Sequence, residues 1–284
     1  MNTQPKVTKR ISNWRSILEM EELLRNLSLN TVCEGAECPN IAECFANKTA
    51  AFMILGEVCT RQCTFCSVKK GKAPELDPNE PHNVAKASRE LNLRHIVVTS
   101  VTRDDLEDGG AGHFAETIRE VKRLNPGATV EVLIPDLQGN WEALKVIVGA
   151  KPEIINHNIE TVPSLYNKAR PQANYQRSLD LFRQIKGIDR TIYLKSGIML
   201  GLGEKREEIL QVMDDLLEAD CEVLTIGQYL QPSPKHLEVQ EYVSDNVYEE
   251  LKSAALNKGF KYVAAGRFVR SSYNAVKVIN LFKG

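Results

Sequence analysis

Six short strand-like runs alternate with segments of helical periodicity along most of the 284-residue chain, and this alternation constrains the fold more than any other feature. The predicted strands are Ala51 to Val58, Arg94 to Val101, Thr129 to Ile134, Glu153 to Ile159, Thr191 to Leu200 and Cys221 to Tyr229. Helices are predicted at Asn13 to Leu27, His113 to Leu124 and about Lys205 to Ala219. Strands separated by helices run parallel, because a parallel pair needs a long crossover connection. The chain is therefore predicted to form an α/β fold around a mostly parallel sheet.

Polar residues at the end of the fourth predicted strand bear on the shape of that sheet. Asn156, Asn158 and Glu160 fall on one face at a spacing of two, and such a face is costly to bury without partners. Periodicity alone leaves an open layer and a curved barrel equally possible. Polar side chains at strand ends fit the active-site mouth of a (β/α) barrel, and a satisfied polar layer inside the fold is the alternative.

Charge and cysteine content exclude several classes of protein. A formal net charge of -1 lacks the basic surplus of a general nucleic-acid binder. No secretory signal and no apolar run of about eighteen residues is found, so a cytoplasmic protein without a membrane partner is expected. Seven cysteines in a reducing compartment indicate a metal site or catalysis rather than disulfide bonds.

One cysteine triplet has the spacing C-x3-C-x2-C, at Cys59, Cys63 and Cys66. A loop of this kind can wrap three thiolates around a cubane iron-sulfur cluster and leave one iron open for a substrate. Zinc is the alternative, but a structural zinc site normally closes with a fourth ligand and favours paired C-x2-C units. The spacing therefore favours an iron-sulfur cluster.

The other triplet is Cys33, Cys38 and Cys44, which is called the first triplet because it comes first in the chain. It has the different spacing C-x4-C-x5-C and lies only a short distance upstream of Cys59. Two independent three-thiolate sites are more natural than one site with six thiolates. Cys221 stands alone at the start of a strand-like run and is predicted to be a core residue.

The C-x3-C-x2-C motif, with Phe65 just before its last cysteine, resembles the radical S-adenosylmethionine superfamily. Over nearly the whole chain the sequence further resembles the lipoyl synthase family. The segments that carry this resemblance are the two triplets, Ser100-Val-Thr-Arg-Asp-Asp-Leu, Asp108-Gly-Gly-Ala, Asn156-His-Asn-Ile-Glu-Thr and Arg270-Ser-Ser-Tyr273. The resemblance implies a partial (β/α)6 TIM-like barrel over residues 51–235, with a cysteine-rich extension at 1–50 and a C-terminal helix and serine segment at 236–284.

The resemblance also implies two [4Fe–4S] clusters and S-adenosylmethionine as cofactors. Cys59, Cys63 and Cys66 would hold the cluster that generates the radical, and Cys33, Cys38, Cys44 and Ser272 would hold an auxiliary cluster that supplies sulfur. The implied reaction inserts two sulfur atoms at carbons 6 and 8 of an octanoyl group on a lysine of a lipoyl carrier domain. The candidates for contacting S-adenosylmethionine are Asn156, Asn158, Glu160, Lys195 and Ser196. Arg270 and Tyr273 are candidates for seating the serine ligand or the acyl chain.

The implied partners are octanoylated carrier domains, namely the E2 subunits of 2-oxoacid dehydrogenases and the H protein of glycine cleavage. A ferredoxin or flavodoxin would donate electrons, and an iron-sulfur carrier would rebuild the auxiliary cluster. Two alternatives stay open: a biotin-synthase-like sulfur-inserting enzyme, and a zinc-stabilised binding module without catalysis. Metal analysis separates them, since two cubanes predict about eight irons and the module predicts about one or two zincs.

Overall fold

The computed structural model describes residues 14–36, 38–46, 50–272, 275 and 278. Within these residues the strands are β1 (Asn30–Thr31), β2 (Ala51–Ile54), β3 (Val58–Cys59), β4 (Lys69–Lys70), β5 (His95–Ser100), β6 (Thr129–Leu133), β7 (Ile154–Asn156), β8 (Tyr193–Leu200), β9 (Val223–Gln228) and β10 (Tyr262–Gly266). The main sheet has eight strands in the order β1-β2-β5-β6-β7-β8-β9-β10, and β3 and β4 form a separate two-stranded ribbon. Strand β1 is antiparallel to β2, and the other neighbours in the main sheet are parallel.

Helices alternate with these strands as the periodicity predicts. They are α1 (Trp14–Asn26), α2 (Val32–Gly35), α3 (Ile41–Ala46), α4 (Glu80–Glu90), α5 (Ala111–Leu124), α6 (Trp141–Gly149), α7 (Tyr166–Ala169), α8 (Tyr175–Ile188), α9 (Arg206–Glu218) and α10 (Asp245–Lys258). Helix α5 shows why they form, because Phe114, Ile118 and Val121 place one apolar stripe wholly inside the core. Burying each such side chain contributes about 1.5–3 kcal/mol. None of the described helices is long and apolar enough to cross a membrane.

The predicted fold class is confirmed: the chain is an α/β protein whose mostly parallel sheet matches a partial TIM-like barrel. The six predicted strands correspond to β2 and β5 to β9, and they lie side by side in chain order. Strand β10 was not predicted, and it adds one more parallel strand beside β9. The short strand β1 extends the opposite edge of the sheet. The three domain boundaries expected from the sequence stay a prediction.

Strand β2 ends four residues earlier than predicted, at Ile54. Leu55 and Gly56 take left-handed conformations, with φ of 69° and 91°, which no strand can continue. The turn is held by Glu80, whose carboxylate accepts a hydrogen bond from the Leu55 amide at 2.7 Å. The chain therefore leaves the sheet at its carboxyl edge and enters the ribbon that carries the C-x3-C-x2-C motif.

Candidate active site

A cavity of about 450 Å³ lies where the carboxyl ends of the parallel strands meet the cysteine-bearing loops. Ser100, Leu133 and Gln228 line it, and each is the last residue of its strand. The carboxyl ends of barrel strands are where functional loops gather. The polar lining includes Cys59, Arg61, Cys63, Cys66, Ser100, Asn158, Glu160, Arg170, Gln228, Arg270 and Ser271. The cavity thus lies at the predicted mouth of the barrel.

The three cysteines of the C-x3-C-x2-C motif all line this cavity on the cysteine loop, residues 59–66. The main chain of the loop is held from two sides. The Thr64 amide donates to the carbonyl of Ala169 at 3.0 Å, and the Thr64 carbonyl accepts from the amide of Leu237 at 3.1 Å. The loop is therefore seated between helix α7 and the segment that follows β9.

Arg61 adds an ionic anchor inside the cysteine loop. Its guanidinium donates to Asp104 at 2.7 Å and 2.9 Å and to Asp136 at 2.5 Å. Arg177, near the start of α8, donates to the other oxygen of Asp136 at 2.9 Å. The cysteine loop is thereby tied to the loops that follow β5 and β6.

Two thiols of the cysteine loop, those of Cys63 and Cys66, have a raised pKa and are protonated in the free protein. Burial raises the pKa of Cys66 to about 11 and also raises the pKa of Cys63, and the neighbouring thiols of the motif add to both shifts. Buried thiols of this kind ionise when a metal cation replaces the proton. No three His, Cys, Asp or Glu side chains of the described ranges are grouped so that they could hold a metal ion. A cubane spreads its ligands over several irons, and three thiols on one cavity wall fit that demand.

The first cysteine triplet lies beside the same cavity. Cys33 is on α2, Cys44 is on α3, and the Cys38 amide between them donates to the Cys33 carbonyl at 2.9 Å. Burial raises the pKa of Cys33 to about 11, and the nearby Cys38 thiol raises it further. The described residues of this region that line the cavity are Val32, Ala36 and Pro39. Cys33 and Cys38 are therefore next in sequence to residues that line one wall of the cavity.

The C-terminal segment reaches the cavity between the two triplets. Arg270 and Ser271 line it, and the next residue, Ser272, is half-buried. Burial lowers the pKa of the Arg270 guanidinium, whereas Cys38 and Glu160 are near enough to raise it. Arg270 therefore lies close to the first triplet and to the predicted S-adenosylmethionine residues. The predicted contact of Tyr273 lies outside the described residues.

Two of the predicted cofactor residues, Asn158 and Glu160, line the cavity. Burial raises the pKa of Glu160, while the nearby Arg170 lowers it. Among the described side chains, Asn158 Oδ1, Arg170 Nε and Ser100 Oγ are buried without a hydrogen-bond partner, and all three residues line the cavity. Buried polar groups normally have partners. These groups therefore fit a polar ligand such as an amino-acid-bearing cofactor.

The other three predicted cofactor residues, Asn156, Lys195 and Ser196, lie within the sheet and are not among the described residues that line the cavity. Lys195 donates to Glu131 at 2.7 Å, and Glu131 also contacts His95 at 3.3 Å. Although burial opposes it, Lys195 lowers the pKa of Glu131 to about 2. The Ser196 hydroxyl donates to a main-chain carbonyl. Asn156 Nδ2 also reaches Glu131, at 3.5 Å, but Asn156 Oδ1 is buried without a hydrogen-bond partner among the described residues, so this polar layer is only partly satisfied. Contact of these three residues with S-adenosylmethionine stays a prediction.

The period-two argument failed for part of this set because β7 is shorter than predicted. It ends at Asn156, and Glu160 then takes a left-handed φ of 69°. Asn158 and Glu160 lie beyond the strand, and only there does the chain reach the cavity. Sequence reasoning missed Arg61 and Arg170. The position of Arg61 inside the cysteine motif was an available signal, whereas no pattern marked Arg170.

Comparison with known proteins identifies relatives over nearly the whole chain. A family model described as the radical SAM superfamily matches residues 53–216. The lipoyl synthase of Caldanaerobacter subterraneus subsp. tengcongensis is 57% identical over 265 residues, which cover 93% of each chain. That of Caldicellulosiruptor saccharolyticus is 54% identical over 94% of this chain and 93% of its own, and that of Alkaliphilus metalliredigens is 52% identical over 95% and 93%.

Solved structures at low sequence identity share the fold. Methylornithine synthase superposes with a TM-score of 0.56 at 14% identity and covers 95% of both chains. Streptococcus suis SuiB bound to S-adenosylmethionine gives a TM-score of 0.60 at 12% identity over 90% of this chain and 62% of its own. Family membership implies a [4Fe–4S] cluster and S-adenosylmethionine as cofactors, and sulfur transfer as the activity. On its sequence and its fold together, this chain belongs to the lipoyl synthase family of radical S-adenosylmethionine enzymes.

Proposed function

We propose that this enzyme inserts two sulfur atoms at carbons 6 and 8 of an octanoyl group attached to a lysine of a lipoyl carrier domain. The sulfur comes from a second [4Fe–4S] cluster held by Cys33, Cys38, Cys44 and Ser272. The observation that carries the proposal is that the segments bearing both triplets and the serine meet around one cavity. A single bound alkyl chain can then be reached from both sides.

The two clusters would have separate protein ligands. Cys59, Cys63 and Cys66 would hold the radical-generating cluster through their thiolates and leave one iron free for the cofactor. Bound there with S-adenosylmethionine, that cluster supplies a 5′-deoxyadenosyl radical, which can remove hydrogen from a methylene that no acid or base could deprotonate. The protein residues bind, orient and shield these groups.

The orphaned polar atoms orient the cofactor. Asn158 and Ser100 offer oxygen atoms to its amino group and hydroxyls, and Arg170 offers an N–H to its carboxylate. Glu160 lies beside Arg170 with its carboxyl buried. Asn156, Lys195 and Ser196 are buried in the sheet next to this part of the cavity, and their contact with S-adenosylmethionine remains a prediction.

Apolar side chains form the remainder of the cavity wall. They include Val32, Met53, Phe65, Val68, Leu133 and Met199. An apolar wall suits an eight-carbon chain and keeps water away from a radical. These side chains come from the N-terminal extension, the cysteine loop and the strand ends. The surface that would bind the octanoyl group therefore exists only in the folded protein.

The partners follow from this reaction. The substrate domains are the E2 subunits of 2-oxoacid dehydrogenases and the glycine cleavage H protein, and a ferredoxin or flavodoxin supplies electrons. An iron-sulfur carrier rebuilds the consumed cluster. The enzyme acts in the cytoplasm, where a reducing environment keeps cysteine thiols available as cluster ligands.

The test is an anaerobic turnover with reductant, S-adenosylmethionine and an octanoylated lipoyl domain, read by intact mass. The expected product carries two additional sulfur atoms, and its cyclic disulfide form has lost two hydrogens. Release of methionine and 5′-deoxyadenosine with no change in the mass of the domain would reject this substrate. Reconstitution of the clusters with sulfide that carries a heavy sulfur isotope then tests the sulfur source, since the label must appear in the product.

A further inference from the structure

A hydrogen bond joins the first cysteine triplet to the C-terminal segment. The side-chain Nδ2 of Asn40 donates to the main-chain carbonyl of Phe268 at 2.7 Å. Asn40 lies between Cys38 and Cys44 and is only 1% exposed. Phe268 precedes Ser272 by four residues. The bond therefore connects, across 228 positions of sequence, the two parts of the chain that would hold the auxiliary cluster.

The main chain of Asn40 is itself held by hydrogen bonds, so its side chain offers the Phe268 carbonyl a donor at a fixed position. The Asn40 carbonyl accepts a hydrogen bond from the Cys44 amide at 2.9 Å, and the Ile41 amide donates to the Cys38 carbonyl at 3.1 Å. Asn40 thus starts helix α3 with its backbone held by the triplet. A shift of Phe268 would break the contact rather than carry Asn40 along with it.

A glycine admits the C-terminal segment from the other side. A Cβ atom added to Gly227, on β9, would lie 2.2 Å from the Val269 carbonyl oxygen and 3.3 Å from Nη1 of Arg270. Real Cβ atoms do not approach main-chain atoms so closely. Only glycine at position 227 therefore allows residues 268–270 to pack this closely against β9. The segment is clamped between the barrel and Asn40.

We propose that Asn40 is a positioning residue, which fixes the C-terminal segment against the first triplet so that Ser272 can complete the auxiliary site. The inference rests on the proposed function for the role of Ser272, but the clamp itself is a property of the protein chain. Loss of the Asn40 donor removes this hydrogen bond and places a group that cannot donate opposite the Phe268 carbonyl. The segment then separates from the triplet while the cysteine loop keeps its own anchors.

The test compares Asn40→Asp, which keeps the size and removes the donor, with Gly227→Ala, which displaces the segment from the opposite side. Asn125→Asp is the matched control, because Asn125 donates in the same way to the Ala85 carbonyl at 3.0 Å, and neither residue belongs to a triplet or to the C-terminal segment. Hydrogen exchange of the cluster-free full chain is measured over residues 262–272. We expect exchange to be about tenfold faster in both test variants and unchanged in the control.

Iron content after anaerobic reconstitution is the second measurement. Asn40→Asp is expected to fall from about eight to about four irons while it still cleaves S-adenosylmethionine, because only one of two cubanes is affected. The proposal is overturned if Asn40→Asp matches the parent in both exchange and iron content, or if the Asn125→Asp control shows the same losses. An unvaried protein that itself holds four irons or inserts no sulfur would instead count against the proposed function, and the exchange result would then stand alone.

Discussion

Arg61 and Asp136 form a buried ion pair beneath the cysteine loop, with 2.5 Å between Nη2 and Oδ1 and with 3% and 0% of their side chains exposed. Burial alone would raise the pKa of Asp136, but the Arg61 guanidinium holds it well below its usual range. A buried ion pair adds little net stability over an apolar pair, yet replacing Arg61 would remove one of the two arginines, Arg61 and Arg177, that neutralise the buried Asp136 carboxylate. The pair therefore specifies where the cysteine loop lies on the barrel.

Arg61→Met is expected to destabilise the protein by about 3 kcal/mol, the low end of the cost of breaking a buried pair from one side, because Arg177 still pairs with Asp136. Urea unfolding of the cluster-free chain measures it. Arg123→Met removes a similar two-bond contact, to Glu120, from an exposed position and should leave the unfolding midpoint unchanged. Equal midpoints for the parent and Arg61→Met would refute the anchoring role.

The iron content of cysteine variants should distinguish the ligands of the two proposed clusters from each other and from a cysteine of the core. Cys66→Ala and Cys38→Ala are each expected to lower the iron content from about eight to about four per chain after anaerobic reconstitution. Cys221→Ala is the control, since Cys221 is buried in the core with 1% exposed. It should keep all the iron. Loss of all iron in Cys38→Ala would indicate one shared site instead of two.

Gly197 determines how well Asn158 can meet a ligand. A Cβ atom at this position of β8 would lie 2.8 Å from both Asn158 Oδ1 and Thr225 Oγ1. Gly197→Ala should therefore displace the Asn158 amide and weaken binding of S-adenosylmethionine by about 1–3 kcal/mol, which is roughly 5-fold to 150-fold in Kd. Equilibrium binding to the reconstituted protein measures this.

The control for that experiment is Gly187→Ala on helix α8, where an added Cβ has no heavy atom within 4 Å. It should leave the affinity for S-adenosylmethionine unchanged and stabilise the helix by about 0.5–1 kcal/mol. Unchanged affinity in Gly197→Ala would remove Asn158 from the proposed cofactor contacts.

His157 should make stability depend on pH. Burial lowers its pKa from 6.5 to about 4, and its ring contacts the Ile134 carbonyl and the Ser178 hydroxyl in the neutral form. The unfolded chain binds a proton in this range that the folded chain does not. Its contribution to stability is therefore complete above pH 6.5 and is lost as the pH falls towards 4, on the order of 1 kcal/mol per pH unit.

Denaturant unfolding at several pH values checks this expectation. His157→Asn should show a shallower fall in the free energy of unfolding between pH 6.5 and 4 than the parent. His82→Asn changes an exposed histidine, 55% accessible, and should reproduce the slope of the parent. A parent whose stability does not change over this range would contradict the neutral, buried state of His157.

The sequence by itself determined the order of the elements and the chemistry of the ligands. Six strands were predicted because a strand buried between helices must be apolar throughout, and that pattern is local. The cysteine spacing likewise identified a thiolate loop without reference to the fold. Both signals are contained in short stretches of chain, where the physical requirement acts on neighbouring residues.

Only the tertiary structure decided which of these residues share a cavity. Asn156 and Asn158 differ by two positions, yet the end of β7 between them sends one into a buried polar layer and the other to the cavity wall. Strand β10 and the contact of Asn40 with Phe268 depend on partners far away in sequence. Such contacts form because the packed barrel brings distant backbone groups into hydrogen-bonding distance, and no local pattern encodes that distance.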